Sequence, residues 1–273
     1  MSYLVDSPLG KKSDYVTTYQ PDLLFAIPRS QQRENIGIHD NLPFYGVDVW
    51  NAYELSWLNT KGKPVVAMAQ FQFPCSSPNI IESKSFKLYL NSFNNTKFTS
   101  LDEVYKIIKN DLSKATHADV KVDIHLLHQT SEEIQRQFDG IYLDELDITC
   151  ENYHVDPTLL TIEENIISET VYSDLLKSNC LITGQPDWGS LQISYTGKKI
   201  QHQNLLKYIV SFRNHIEFHE HCVERIFMDI MQYCQPTKLT VYARYVRRGG
   251  LDINPFRSTE ITPLDQSLRL CRQ

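Results

Sequence analysis

An internal repeat constrains the fold of this chain more than any other feature of its sequence. Residues in the first half match residues in the second half at a constant offset of 119 positions, without a gap. The matched pairs are Tyr89/Tyr208, Leu90/Ile209, Ser92/Ser211, Phe93/Phe212, Asn95/Asn214, Val104/Val223, Lys106/Arg225, Ile107/Ile226, Leu112/Met231, Val120/Leu239 and Val122/Val241. Two amphipathic units share apolar positions by chance, but Ser92/Ser211 and Asn95/Asn214 match at polar positions. We therefore predict a duplication, with two copies of one structural unit.

Each copy is predicted to contain two strands, two helices and a further strand. In the first half, residues 44–73 are typical of a β-hairpin, with its turn at residues 59–64. Apolar residues at helical spacing follow, and Ser100 is the predicted N-cap of the second helix. Alternating apolar residues between 120 and 126 then indicate the last strand.

The repeat also predicts the boundaries of the parts of the chain. Residues 1–43 are polar and interrupted by prolines, so we expect a docked, largely extended N-terminal arm. The first module is predicted at residues 44–135 and the second at residues 136–273, with the acidic segment around 129–158 as the linker. A chain of 273 residues with 41% hydrophobic content is long enough for two modest domains.

Charge and cysteine usage narrow the class of protein. The formal net charge is −6 and no run of basic residues stands out, which disfavours direct binding of nucleic acid. No apolar stretch is long enough to span a membrane, and the first residues lack the order of a signal peptide. The six cysteines form no CxxC pair, so we expect reduced thiols and a cytoplasmic protein.

One stretch of the second half, SNCLITGQPDWGSLQISY, is a candidate for chemistry. Cys180 precedes a turn sequence rich in Gly and Pro, and Asp187 follows at the start of a predicted strand, so the two side chains are expected to return close together. A thiolate is a strong nucleophile, and a nearby acid can exchange the proton during addition to a polarised carbon. The alternative is a buried free cysteine beside a turn-forming aspartate, and the residues alone leave both interpretations open.

A second candidate group lies at the start of the last predicted helix. Glu220 stands where the helix dipole favours a carboxylate, and a carboxylate suits two adjacent N–H donors such as a guanine-like edge. The alternative is a solvated glutamate that stabilises its own helix. His215, His219 and His221 invite a metal interpretation, but HIEFH is not the H-E-x-x-H pattern of zinc hydrolases, so we predict no metal.

Basic residues in two places are candidates for binding phosphate. Ser83, Lys84 and Lys87 begin the first helix of the first half, and residues 247–250, RRGG, are predicted to follow the last strand. No G-x-G-x-x-G occurs among the ten glycines, so a nucleotide cofactor would not be held as in the usual dinucleotide-binding fold. The two halves carry different polar groups at matching positions, which predicts a site that draws on both copies.

Taken together, these stretches resemble the NADPH-dependent 7-cyano-7-deazaguanine reductases, the nitrile reductases of the queuosine pathway, in their long two-module form. The resemblance covers nearly the whole chain and is most specific in IIESKSFKLYLNSFN, SNCLITGQPDWGSLQISY, SFRNHIEFHEHCVERIF and RRGGLDINPFRS. It implies an α+β fold of two tandem tunnelling-fold modules, with antiparallel sheets and paired helices on one face, like those of GTP cyclohydrolase I.

The resemblance also implies roles for particular residues. Cys180 would add to the nitrile carbon to give a covalent thioimide, and Asp187 would supply a proton to the nitrile nitrogen. The residues implied in substrate binding are Ile81, Glu82, Ser83, His219 and Glu220. The residues implied in NADPH binding are Ser83, Lys84, Arg248 and Gly249. Two hydride transfers would convert the nitrile to an aminomethyl group in a homodimer, without a metal.

The proposed role of Asp187 carries a requirement of its own. A carboxyl that donates a proton near neutral pH needs a raised pKa, and therefore an apolar site. Trp188 and Leu181 are expected to supply it.

Two other functional classes stay open from the sequence. The first is a pterin or purine enzyme of the same fold with zinc-dependent chemistry of the GTP cyclohydrolase type. The second is a non-catalytic purine-binding scaffold, which would retain Glu220 but would not need Cys180 beside Asp187.

Overall fold

The computed structural model describes residues 16–129, 133–135, 137–181, 183–262, 264 and 268–273. The strands are β1 Ala26–Pro28, β2 Tyr45–Leu58, β3 Pro64–Pro74, β4 Asn79–Ile81, β5 Lys121–Leu126, β6 Glu133–Gln135, β7 Ile141–Tyr142, β8 Ile162–Asn179, β9 Pro186–Ile200, β10 Lys238–Tyr245, β11 Leu251–Ser258 and β12 Leu268–Leu270. The helices are α1 Ser30–Glu34, α2 Ser83–Asn91, α3 Leu101–Thr116, α4 His202–Ser211 and α5 His219–Cys234. Short 3₁₀ turns include Pro21–Leu23, Pro157–Leu159 and Phe212–Asn214.

These residues form two compact units. Unit 1 draws on the described residues within Met1–Gln31, Asp48–Ser131 and Arg247–Asp252, and unit 2 on those within Gln32–Val47, Glu132–Val246 and Ile253–Gln273. The domain boundaries predicted at residues 44 and 136 stay a prediction. None of the helices in the described part of the chain is long and apolar enough to cross a membrane.

Unit 1 contains the predicted hairpin and both helices of the first half. Strands β2, β3 and β5 are neighbours in that order, and β3 pairs with β5 in antiparallel orientation. The ring of Phe86 on α2 contacts Trp50, Phe71 and Phe73 of β2 and β3, with ring centroids 5.0–6.3 Å apart. Aromatic contacts of this kind bury large apolar surfaces, and they hold α2 against the sheet.

Unit 2 is built on a sheet with the strand order β11-β10-β9-β8-β7. The long strands β8, β9, β10 and β11 pair in antiparallel orientation, whereas the short β7 runs parallel to β8. Helix α4 contacts β8, and helix α5 contacts β9 and β10. The chain is therefore an α+β protein with predominantly antiparallel sheets, as predicted.

The two units repeat the same hydrogen bonds at the matched serines. Ser92 Oγ donates to the Tyr89 carbonyl (2.6 Å) and accepts from the backbone N–H of Gln20 (3.2 Å). Ser211 Oγ donates to the Tyr208 carbonyl (2.6 Å) and likewise accepts from a backbone N–H, that of Asp156 in the predicted linker (3.3 Å). These contacts agree with the duplication predicted from the polar matches.

The repeat extends into that linker segment. Asp156 N–H donates to Ser211 Oγ (3.3 Å) and precedes the 3₁₀ turn Pro157–Leu159, just as Gln20 precedes Pro21–Leu23. The linker was predicted around residues 129–158, and the contacts of residues 156–158 at its end repeat those of residues 20–22 in the first half. The 119-residue offset could not reveal this match, because Gln20 and Asp156 are 136 positions apart.

Candidate active site

Cys180 lies in the turn that joins strands β8 and β9. The strands pair as far as Asn179 and Pro186, and the turn is closed by hydrogen bonds from Cys180 N–H to the Gln185 carbonyl (2.8 Å) and from Gly184 N–H to the Cys180 carbonyl (3.0 Å). Gly184 has a φ of +66°, a left-handed conformation that glycine adopts without a steric penalty. Cys180 is 4% exposed, so the thiol sits at the tip of the hairpin but is buried.

The end of β8 is fixed just before the cysteine. Asn179 N–H donates to the His215 carbonyl (2.7 Å), and Glu217 N–H donates to the Asn179 carbonyl (3.2 Å). Lys177 Nζ donates to the Asn179 side-chain oxygen (2.6 Å) and to the Arg213 carbonyl (2.7 Å). Burial and the charge of Arg213 lower the pKa of Lys177. The Cys180 turn therefore follows a strand end that is held in place by hydrogen bonds.

Asp187 is buried on β9 and faces His219. Its Oδ2 lies 3.4 Å from His219 Nε2, and the residue is 7% exposed. Trp188, the next residue on the strand, was expected to help bury this carboxyl. It is 38% exposed, and the guanidinium of Arg213 lies over its ring. Successive side chains of a strand point to opposite faces, so Trp188 does not cover Asp187 and that expectation is wrong.

Tyr245 is a residue of this region that the sequence did not single out. It is the last residue of β10, and its ring centroid lies 4.0 Å from that of His219. The sequence showed only that Tyr245 lies in an apolar segment, which is true of many core tyrosines and does not indicate a role in a site.

Helix α5 begins with buried charged residues. Glu220 is 2% exposed, so the alternative of a solvated glutamate is wrong. Just before the helix, Glu217 accepts hydrogen bonds from His215 Nε2 (2.7 Å) and Arg225 Nε (3.2 Å). Burial raises the pKa of Glu217, but the His215 hydrogen bond and the Arg225 charge outweigh it and the net pKa is lowered. Among the described residues, no three His, Cys, Asp or Glu side chains come together as metal ligands would.

One turn further along α5, Glu224 lies between two arginines. Arg33 Nε and Nη2 donate to its carboxylate at 2.9 and 2.7 Å, and Arg257 Nε and Nη2 donate at 3.1 and 2.8 Å. Burial raises the pKa of Glu224, but the charges and hydrogen bonds of Arg257 and Arg33 lower it to a net value well below 4.5. The first turns of α5 are thus held by an ionised carboxylate.

The candidate substrate residues of the first half lie where β4 meets α2 in unit 1. Ile81 pairs with Ala26 of β1, and Glu82 is the N-cap of α2. The Glu82 carboxylate accepts from the backbone N–H groups of Lys84 (2.7 Å) and Ser85 (2.8 Å) and is fully buried. Burial raises its pKa, and these two hydrogen bonds offset only part of the increase.

The capping role of Glu82 changes the predicted phosphate site. The N–H groups of Lys84 and Ser85 are already donated to Glu82, so this helix start does not offer them to a phosphate. Elsewhere in unit 1 the side chain of Lys87, which pairs with Glu54, lies near the backbone of Gly249. Gly249 has a φ of +61°, and a Cβ added there would lie 4.0 Å from Cγ of Lys87. Lys87 lies on α2, one turn after Ser83 and Lys84. The four candidate cofactor residues Ser83, Lys84, Arg248 and Gly249 therefore lie in the same part of unit 1.

Two family models match the chain. "Nitrile reductase, 7-cyano-7-deazaguanine-reductase N-term" matches residues 15–124, and "QueF-like protein" matches residues 186–263. A solved structure, "Crystal structure of the archaeosine synthase QueF-Like in the apo form", aligns with 37% of this chain over 99% of its own length, at 14% identity and a TM-score of 0.31. At that TM-score the likeness bears on neither the fold nor the function of this chain.

Curated relatives match over almost the full length. The NADPH-dependent 7-cyano-7-deazaguanine reductase of Legionella pneumophila (strain Lens) is 57% identical over 98% of this chain and 95% of that protein. The protein of the same name from Cupriavidus metallidurans is 56% identical over 98% of both chains. These matches confirm the resemblance predicted from the sequence: the chain belongs to the family of NADPH-dependent 7-cyano-7-deazaguanine reductases.

Proposed function

We propose that this chain reduces the nitrile of 7-cyano-7-deazaguanine to an aminomethyl group with NADPH, as a step of tRNA queuosine biosynthesis. The observation that supports this most is the full-length identity to reductases of that name. The unit 2 geometry agrees with it, because a cysteine at a fixed turn and a buried carboxylate on the next strand are what addition to a nitrile requires.

The first step of the proposed reaction is addition of the Cys180 thiol across the C≡N bond. A sulfur–carbon bond forms, one π bond of the nitrile breaks, and the nitrogen takes a proton from the Asp187 carboxyl. The thiol proton then restores that carboxyl, so the net change is addition of S–H to give a thioimide. His219, 3.4 Å from Asp187, holds the carboxyl side chain in place for this transfer.

The residues of the chain also fit the proposed ligands. Glu220, buried at the start of α5, would accept hydrogen bonds from the purine-like edge, with His219 beside it. By the resemblance we also propose substrate-binding roles for Ile81, Glu82 and Ser83 of unit 1. Lys84, Arg248 and Gly249, with Ser83, would hold NADPH, whose phosphates favour cationic partners. When bound, NADPH supplies the two hydrides that carry a nitrile to the level of an amine.

We also propose the finer arrangement of the fold. The repeated serine and tyrosine contacts in the two units support two tandem tunnelling-fold modules with paired helices on one face of each sheet. By the same resemblance we propose a cytoplasmic homodimer that binds a small molecule, binds no nucleic acid directly and uses no metal.

Intact-mass analysis tests the proposed function. Incubation with 7-cyano-7-deazaguanine without NADPH should add the mass of one substrate molecule per active cysteine, and Cys180→Ala should abolish the adduct. Cys234→Ala is the matched control, since Cys234 is another buried thiol and lies at the far end of α5. An adduct that persists in Cys180→Ala would move the nucleophile elsewhere, and binding without any adduct would favour a non-catalytic scaffold.

A further inference from the structure

A buried tyrosine packs against the imidazole of His219. The ring centroids of Tyr245 and His219 are 4.0 Å apart, and the ring planes are inclined by 50°. Tyr245 is 1% exposed, so its ring is enclosed on its other sides as well. A ring fixed in this way restricts the rotamers that its neighbour can adopt.

A glycine on the neighbouring strand makes room for this ring. Gly189 is the Cα partner of Tyr245 in the pairing of β9 with β10. A Cβ added at Gly189 would come within 3.2 Å and 3.3 Å of two ring carbons of Tyr245. The ring therefore lies across β9 at a position where that strand carries no side chain, two residues beyond Asp187.

The hydroxyl of Tyr245 is buried. Burial raises the pKa of Tyr245 well above 10.0, and the nearby Cys222 thiol and Asp187 charge raise it further, while Ser178 has a small opposing effect. Burial therefore favours the protonated hydroxyl. The contribution that the geometry shows is the contact of the Tyr245 ring with His219.

We propose that Tyr245 is a positioning residue, which fixes the His219 imidazole against Asp187. This inference rests on the proposed function, in which these two side chains serve the addition to the nitrile. The His219–Asp187 separation of 3.4 Å is at the outer limit of a hydrogen bond, so a small rotation of the imidazole would break the contact. A displacement of about 1 Å at a reacting centre can slow a reaction by about a hundredfold.

The test is the rate constant of adduct formation in single-turnover mass spectrometry without NADPH. Tyr245→Leu should lower the rate by about tenfold or more, and Tyr245→Phe, which keeps the ring, should stay within about threefold of the wild-type rate. Tyr242→Leu is the matched control, since Tyr242 is a buried tyrosine of the same strand whose ring packs on Phe138 and Phe256, and this variant should keep the wild-type rate.

A double-mutant cycle separates positioning from general loss of structure. If Tyr245 acts through His219, Tyr245→Leu should change the rate by less than about twofold in a His219→Ala background. An equal loss in both backgrounds, or a loss in Tyr245→Phe as large as in Tyr245→Leu, would overturn the proposal. If Tyr245→Leu does not fold, Gly189→Ala replaces it, because its methyl group would displace the ring without removing it, and the same cycle applies.

The proposed function fails in a different way. If wild-type protein forms no adduct, or if His219→Ala has the wild-type rate, the site itself is misassigned. If His219→Ala is slow while Tyr245→Leu and Gly189→Ala both react at the wild-type rate, only the role of Tyr245 is wrong.

Discussion

Replacing Glu224 by glutamine would remove one charge from the centre of a buried group of three ions and leave the size of the side chain unchanged. Four hydrogen bonds of 2.7–3.1 Å join the Glu224 carboxylate to Arg33 and Arg257. The side chains of Glu224 and Arg257 are 0% exposed, so water cannot solvate the guanidinium that loses its counter-charge. Leaving a buried charge without its partner costs about 3–5 kcal/mol.

We therefore expect Glu224→Gln to lower the free energy of unfolding by about 3–5 kcal/mol, a large share of the roughly 5–15 kcal/mol of an ordinary domain. Urea unfolding followed by both circular dichroism and tryptophan fluorescence measures the change, and agreement of the two probes checks that the transition is two-state. Glu164→Gln is the control, because it breaks an ion pair with Lys198 whose side chains are 92% and 43% exposed. That exposed pair should contribute less than about 1 kcal/mol.

The pH dependence provides a second check. A carboxyl whose pKa is lowered on folding stabilises the native state above its unfolded pKa, and this contribution is lost as the pH falls toward the folded pKa. For Glu224 the unfolded value is 4.5 and the folded pKa lies below it. The difference in stability between wild type and Glu224→Gln should therefore be constant near neutral pH and shrink below pH 4.5. A variant no less stable than the Glu164→Gln control would refute this account of the buried ions.

Three further predictions concern the candidate site. Glu220→Ala should weaken substrate binding about tenfold or more, because charge-assisted hydrogen bonds contribute roughly 1.5–3 kcal/mol each, and should leave NADPH binding unchanged. Calorimetry measures both affinities. If the variant binds substrate as tightly as the wild type, Glu220 has only a structural role. Lys84→Ala and Arg248→Ala should each raise the Michaelis constant for NADPH, and if neither does so the cofactor site is misassigned. Asp187→Asn keeps the shape of the side chain but cannot give a proton, so the adduct should form much more slowly at near-normal substrate affinity. A wild-type rate would leave Asp187 with a structural role on β9 only.

Local features of the fold could be predicted because their causes are local. Ser100 is the N-cap of α3, with its Oγ accepting from the N–H of Glu103 (3.1 Å), as the sequence predicted. In the hairpin turn, the Asn59 side chain accepts from the N–H groups of Lys61 and Lys63, both at 3.0 Å. Contacts between residues two to four positions apart depend on the local sequence, so they can be identified without a structure.

The features that could not be predicted from the sequence are contacts between residues far apart in the chain. Arg33 reaches Glu224 across 191 positions, and nothing in either local sequence marks the pair. Tyr245 meets His219 because of where strand β10 ends and helix α5 begins, which depends on strand register and packing. The sequence identified Cys180 and Asp187 because a turn connects them, and it missed Tyr245 because only the folded sheet brings it there.

The hydrogen bond that closes the Cys180 turn occupies the backbone N–H of the proposed nucleophile. In enzymes that transfer acyl groups, the backbone N–H of the nucleophile commonly helps to stabilise the negative oxygen of a tetrahedral intermediate. Here the N–H of Cys180 is donated to Gln185 within the turn, so it does not point at a developing oxyanion. In addition to a nitrile the new charge develops on nitrogen, where a proton from a carboxyl would neutralise it. If Cys180 is the nucleophile, as proposed, its own N–H is not free to stabilise the charge that develops on the substrate, and another group must do so. The proton proposed to come from Asp187 would meet that requirement.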